Sequence, residues 1–293
     1  MNTAQPGILP APPSHSRYLE FGRRYDGDAA AALAALGGMQ MDDGVVVGLG
    51  AGLIRGLGSS IIGLEAFPNL SGPGCELPST QSDLWIWVRG EDRGEIMHRA
   101  RALEALVGAE FRPDHMAECF RYMDGHDLTG YEDGTENPEG AAAIDAAFAQ
   151  GKGKGLDGGS FVAVQQWVHD LNCFAGHTQA EQDNIIGRRL SDNEELDDAP
   201  VSAHVKRTAQ ESFEPEAFVL RRSMPWADAS GEGLMFVAFG KSHAAFGAQM
   251  RRMAGLDDGI VDALFEFPRP VTGSYFWCPP AKNGHLDLSA LGL

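Results

Sequence analysis

The chain has 293 residues, 43% hydrophobic and 22% charged, with a net charge of −18 and a pI near 4.8. That composition supports a sizeable core and excludes a disordered chain. The negative charge repels phosphate backbones, so nucleic acid is not an expected partner. Cys75, Cys119, Cys173 and Cys278 are widely spaced and form no CxxC pair. This argues against a zinc knuckle, an iron–sulfur site or a disulfide framework, and fits free thiols in a reducing compartment. No apolar run approaches the roughly 20 residues that span a bilayer. Residues 1–14 show neither a basic region nor an apolar stretch of an export signal, so the expected location is the cytoplasm.

In chain order, residues 1–16 carry Pro6, Pro10, Pro12 and Pro13 and read as an extended arm. Residues 17–25 alternate well enough for a first strand. Asp28 is placed to cap an alanine-rich helix from Ala29 to Leu36, which Gly37 and Gly38 would end. The run Val45-Val46-Val47-Gly48-Leu49 predicts a buried strand. The glycines after it lack the GxGxxG spacing and the acidic residue about 20 positions on, so they read as close packing and not as a nucleotide loop. A strand is predicted over 83–88. A helix from Arg93 to Val107 follows, with Ile96, Ala100, Leu103 and Leu106 at helical spacing. Residues 111–123 predict a returning strand. The pattern indicates helices on one face of a mainly antiparallel sheet.

Residues 139–158, with small residues and a Gly/Lys repeat, are the expected linker between an N-terminal domain (1–138) and a C-terminal one (159–293). The second half predicts a strand over 160–168, a helix from Gln179 to Arg189, an acidic loop over 191–200, and strands over 217–220 and 234–239. Ser242 would cap a helix from Ala244 to Met253, and Asp257 another through Leu264. The similar order of elements in the two halves points to a structural duplication.

Three segments carry candidate chemistry. Gly130-Tyr131-Glu132-Asp133-Gly134 sets an acid between two glycines, and Asn137-Pro138 closes the stretch with a turn. Alone, this is a common acidic surface turn. His204 lies in Ser202-Ala203-His204-Val205, and Arg221 in Leu220-Arg221-Arg222-Ser223. Together they offer an acid, an imidazole and a fixed cation, although spacing alone favours an ordinary core histidine. No GxSxG elbow and no HExxH motif is present, which sets aside a serine hydrolase and a zinc protease of that type.

These segments belong to an ordered series. Asp127-Leu128-Thr129-Gly130 precedes the glycine-flanked acid, and Thr135-Glu136-Asn137-Pro138 follows it. Gly159-Ser160-Phe161-Val162, Ile185-Ile186-Gly187-Arg188, Ser202-Ala203-His204-Val205, Arg221-Arg222-Ser223-Met224-Pro225 and Val271-Thr272-Gly273-Ser274-Tyr275-Phe276 come next. The series resembles the dye-decolourising haem peroxidases, and their bacterial B-type branch most. The resemblance implies an α+β fold of tandem ferredoxin-like domains, antiparallel sheets with helices packed on them. It implies one haem b (iron protoporphyrin IX) per subunit in the C-terminal half. The implied activity is oxidation of phenolic, dye-like or other reducing substrates by H2O2 through a ferryl intermediate. A haem-binding protein for haem or iron handling, with little turnover, is the second reading.

By the same resemblance His204 is the iron ligand. Asp262 is the candidate acceptor for its other ring N–H, with an exposed helix position as the competing reading. Asp133, Arg221 and Ser223 would form the catalytic side; many relatives carry Asn at the last position. Arg222 competes with Arg221, but strand neighbours point to opposite faces. By charge alone, Arg188 is a candidate partner for haem propionate, with a solvent-exposed arginine as the equal reading; Phe236 and Phe276 are candidate pocket-lining residues, with core packing as their default role. A homo-oligomer and no membrane contact are also implied. The apolar tail from Leu286 to Leu293 lacks the long linker expected of a peptide for packaging in a protein nanocompartment, so packaging is not favoured.

Overall fold

Two four-stranded antiparallel sheets with the same strand order build the molecule. The computed structural model describes residues 3–293. The first sheet contains β1 (His15–Arg23), β2 (Val45–Leu49), β3 (Leu84–Gly90) and β4 (Phe111–Phe120). The second contains β5 (Ser160–His169), β6 (Met224–Asp228), β7 (Gly231–Gly240) and β8 (Ser274–Cys278). Helices α1 (Ala29–Gly37), α2 (Arg93–Val107), α3 (Gly140–Ala147), α4 (Gln179–Ile186), α5 (His204–Thr208) and α6 (Ala244–Met253) connect them. The spatial orders are β4–β1–β3–β2 and β8–β5–β7–β6, each last–first–third–second. That order is the ferredoxin-like split βαβ arrangement, used twice.

The two sheets join at both edges. Cys119 of β4 pairs with Trp226 of β6, and Leu49 of β2 pairs with Trp277 of β8, closing a ring of eight strands. Closure removes the open edges that would otherwise invite further pairing. The seam at Leu49 is reinforced by the arm. The Gln5 amide donates to Val47 O (2.8 Å) and Pro279 O (3.0 Å), and its oxygen accepts from Val47 N–H (2.8 Å).

Strand alternation sorts the side chains into separate cores. Tyr18, Trp85, Trp87, Val162, Val237 and Phe276 fill the ring. Leu19, Val47 and Ile86 point outward onto Ala100 and Leu103 of α2. Ala163, Ala238 and Tyr275 point outward onto Phe246 and Met250 of α6. The candidate site lies on this outward face of the second sheet. Among the described residues no helix is long and apolar enough to cross a membrane.

Several elements depart from the sequence expectation. Residues 139–158 contain α3, whose Ala143 and Ala147 reach the ring core. Leu106 is exposed, and Val107 takes the buried place. The helix expected to reach Arg189 stops at Ile186, because Gly187 adopts a left-handed conformation (φ +93). The strand expected over 217–220 is only Leu220–Arg221, paired with Phe239 and Ala238 of β7. Asp257 caps no helix and instead pairs with Arg251 at 2.8 Å. Asp262 does the capping, accepting Leu264 N–H for the 3-10 turn Ala263–Glu266. Leu286, Leu288 and Leu291 of the tail are buried in the same core as α1.

One buried acid has no cation. Glu20 is 2% exposed; Ser274 Oγ donates to its Oε2 at 3.0 Å, while Oε1 has no partner. Burial pushes its carboxyl up to about 7, against the Ser274 hydrogen bond and the nearby Ser82 hydroxyl, which lower it. An unfolded glutamate titrates near ~4.3, so the native state holds a proton the unfolded state releases. The stability contributed is complete below that value and is lost as pH rises through about 7. Glu20→Gln is expected to flatten this slope and gain roughly 3 kcal/mol relative to the parent at pH 8. Urea denaturation at pH 5 and pH 8 checks it; an unchanged slope contradicts it.

Candidate active site

The loop from Gly125 to Pro138 is shaped by its own backbone. Asp127 N–H donates to Tyr131 O (2.9 Å), Gly130 N–H to Asp127 O (2.9 Å), and Asp133 N–H to Gly125 O (3.0 Å). Gly134 sits at φ +82, where a side chain is strained, and a Cβ there would meet Asn137 Nδ2 at 2.7 Å. Asn137 then clamps the loop to the strand Leu220–Arg221. Its Oδ1 accepts Arg221 N–H (2.7 Å) and its Nδ2 donates to Arg221 O (3.2 Å). The clamp brings Arg221 Nη2 to 3.8 Å from Asp133 Oδ1, both side chains about one-fifth exposed (19% and 22%).

Arg221 pairs opposite Ala238 and lies on the α6 side of the sheet. Arg222 turns away, donating to Ile8 O (3.3 Å) and Leu9 O of the arm. Burial, with Arg89 nearby, lowers its guanidinium to about 10. The register expected from alternation therefore separates the two arginines. Ser223 Oγ accepts Val237 N–H at 3.4 Å and lines a narrow channel of about 160 Å³ with Pro12, Asp133 and Arg221.

His204 opens α5. Its Nδ1 lies 2.8 Å from Asp262 Oδ2, and the Asp262 side chain is fully buried. Asp262 Oδ1 accepts Leu264 N–H (2.8 Å), and its own N–H donates to Met253 O (2.8 Å). Ala263 N–H donates to Ser202 O (2.8 Å), tying this turn to the residues before His204. An exposed helix position for Asp262 is thereby excluded. With a proton on Nδ1, Nε2 is left as the imidazole's lone-pair nitrogen, and it has no hydrogen-bond partner among the described residues.

Asp133, His204 and Arg221 meet around one cavity. An inner part of about 70 Å³ is walled by Trp167, Leu234, Phe236, Met250 and Met253. An outer cleft of about 400 Å³ shares Asp133, His204, Thr208, Arg221 and Gln249 with it. Phe236 is therefore at the cavity, but Phe276 is not. Phe276 projects into the ring, its centroid 6.0 Å from Trp85, because its neighbour Tyr275 takes the outward face. Arg188 lines the outer cleft but is already engaged by Glu136 and by Asn193 O (2.8 Å).

Three further groups escaped the sequence reading. Asn137 looked like a turn former only. Gln249 Nε2 donates to Ala217 O (2.7 Å) behind Arg221's strand. His169 Nε2 lies 3.0 Å from Asp127 Oδ2 at the inner cavity wall. Burial alone would raise the Asp127 carboxyl, but His169 and Thr129 outweigh it and hold it below the usual range. Among the described residues no three acidic, His or Cys side chains are grouped to hold a metal ion.

Residues 124–283 match the family model described as Dyp-type peroxidase, C-terminal. A dye-decolorizing peroxidase of Mycolicibacterium paratuberculosis is 30% identical over 255 residues, 78% of this chain and 72% of the relative. DyPB from Rhodococcus jostii has a TM-score of 0.86 at 28% identity, covering 95% of this chain and 96% of its own. A variant of that protein was solved in complex with heme (TM-score 0.87, 27% identity, 95% and 97% covered). A Dyp-type structure from Shewanella oneidensis reaches a TM-score of 0.90 at 27% identity, covering 99% and 98%.

Asn137→Ala is expected to lower stability by about 1–2 kcal/mol, through loss of both contacts to the Arg221 backbone. Thermal unfolding measures it; a loss below ~0.5 kcal/mol contradicts the clamp.

Proposed function

The chain belongs to the Dyp-type peroxidase family, and from that premise we propose that His204 holds the haem iron while Asp133 and Arg221 handle peroxide in the same cavity. The protein is a haem peroxidase. H2O2 is its oxidant and small reducing molecules its donors, in the balance H2O2 + 2 DH → 2 H2O + 2 D•. The observation that carries the residue assignment is a convergence on one cavity. An imidazole with Nδ1 committed to a buried carboxylate meets a carboxylate–guanidinium pair between apolar walls. Such a donor set fits haem: one neutral nitrogen, one anchoring acceptor and an apolar enclosure.

Haem, when bound, carries the oxidising equivalents of peroxide to the donors. The chain's own groups do the rest. Asp262 fixes the tautomer and orientation of His204 and makes the ring more basic. Asp133 accepts a proton from H2O2 on a carboxylate oxygen and returns it to the departing oxygen, which leaves as water. Arg221 is permanently cationic and brings positive charge to that departing oxygen. The Ser223 hydroxyl accepts from Val237 N–H and keeps its own proton to donate to a peroxide in the channel. Arg188 is the buried cation proposed to meet the cofactor's carboxylates, in exchange for Glu136. Packaging through the tail is not favoured by a segment in which Leu286, Leu288 and Leu291 are buried in the chain's own core and only Leu293 is exposed.

Asp133→Ala and Arg221→Ala are each expected to lower kcat/KM for H2O2 by about 10²- to 10³-fold with haem retained. His204→Ala is expected to lose or strongly alter the Soret band. Steady-state oxidation and absorption spectra check both. Parent-like rates in the Asp133 and Arg221 variants would reject their assignment.

A further inference from the structure

Two cations of the ring, Arg89 and Arg222, take no part in the peroxide chemistry above. Arg89 is buried and Arg222 half-buried, and neither has an ion-pair partner among the described residues. Withdrawing a charge from water is costly unless its N–H groups find acceptors. Here the acceptors are main-chain oxygens of the N-terminal arm. Arg89 Nη1 donates to Gly7 O at 2.5 Å, both its terminal nitrogens to Pro10 O at 3.4 Å, and Nη2 also to Ala11 O. Arg222 donates to Ile8 O and Leu9 O, and its Nη1 to Arg221 O at 2.8 Å. Every carbonyl from Gly7 to Ala11 is thus taken by one of two arginines. The arm cannot lift without stranding both charges.

The clamp ends where the channel beside Ser223 begins. Ile8 is fully buried in the ring core. Ala11 and Pro12 follow it and line the channel of about 160 Å³ with Asp133, Arg221 and Ser223. On the far side, Ser14 O accepts Arg121 N–H at 2.9 Å, which ties the arm to the end of β4. Pro12 and Pro13 lie between these two anchors, and a proline ring fixes φ. The wall is therefore short, stiff and held at both ends.

The channel shares Asp133, Arg221 and Leu234 with the inner cavity. His204 lines that cavity and the outer cleft but not the channel. A cofactor held on His204 takes up the first two and leaves the channel as the approach to Asp133 and Arg221. At its volume the channel has room for only a few water-sized molecules.

We propose that Arg89 and Arg222 are positioning residues that hold Pro12 as a fixed wall of this channel, and that the wall sets which peroxides reach Asp133 and Arg221: H2O2 enters and bulky alkyl hydroperoxides do not. The proposal deepens the peroxidase reading and rests on it. An alkyl hydroperoxide that did enter would react in the balance ROOH + 2 DH → ROH + H2O + 2 D•.

The test compares tert-butyl hydroperoxide with H2O2, with one reducing donor, in the haem-loaded parent, Pro12→Gly and Arg222→Gln. The parent is expected to favour H2O2 in kcat/KM by roughly 10²-fold, and both variants to narrow that ratio roughly tenfold, within the range that one steric group in a pocket discriminates. A merely structural role would lower both peroxides together and leave the ratio alone. A second readout needs no turnover: the rate of the Soret shift on adding cyanide or imidazole. Imidazole is expected to bind faster in both variants, with cyanide changed much less. Hydrogen exchange over residues 4–14 should quicken in Arg222→Gln. Should Arg222→Gln fail to fold, Pro12→Gly decides, since proline has no N–H to lose. A parent that uses both peroxides equally, or an unchanged ratio in Pro12→Gly or in folded Arg222→Gln, overturns the proposal and leaves the peroxidase reading standing. A parent inert to H2O2 rejects that reading, and the proposal with it.

Discussion

The 2.8 Å contact between His204 Nδ1 and Asp262 fixes more of the site than any other single interaction. Asp262 is fully buried, and a buried carboxylate is costly unless its oxygens are satisfied. One oxygen takes the Leu264 N–H and the other faces the imidazole. The same residue caps a 3-10 turn, and the next N–H reaches back to Ser202. The imidazole is therefore oriented by a turn that cannot move without stranding a buried charge. That leaves Nε2 as the one uncommitted nitrogen of His204 at the cavity.

The opposite partners are held by a different kind of constraint. Asp133 belongs to a loop after the first sheet, and Arg221 to a strand on the second. They meet because Asn137 bonds both backbone groups of Arg221, and because the sheets are closed into one ring. Closure also gives each sheet one outward face. On the second sheet that face carries Phe236 and Leu234 to the cavity, while Phe276 and Trp85 remain inside. The candidate site thus sits on the outside of a barrel whose interior is a packed aromatic core.

Much of this was legible in the sequence. The helix over Arg93–Val107 and the strand at Val45 follow from periodicity, and the repeated order of elements matches the duplicated topology. The resemblance carried by the residue series implied a shared site for Asp133, His204 and Arg221, with Asp262 as one of two readings for the imidazole's partner. What escaped reading has physical reasons. Each seam of the ring rests on one strand pair, and the second also on Gln5, a contact across more than half the chain. Phe276 lies in Ser274–Cys278, buried at every position, so no alternation reveals its face. Helix α3 is short and alanine-rich, and only its distant partners in the ring core distinguish it from a linker. Asn137 reads as a turn former, and its side-chain bonds need the fold to exist.

The most direct measurement is the iron–imidazole stretching frequency of the ferrous, haem-loaded protein by resonance Raman, for the parent and for Asp262→Asn. A carboxylate accepting the Nδ1 proton gives the ring partial imidazolate character and strengthens its bond to a metal. The band is therefore expected in the parent and should move to lower frequency in Asp262→Asn. No iron–imidazole band in the parent, or the same frequency in both proteins, would contradict His204 as an iron ligand tuned by Asp262.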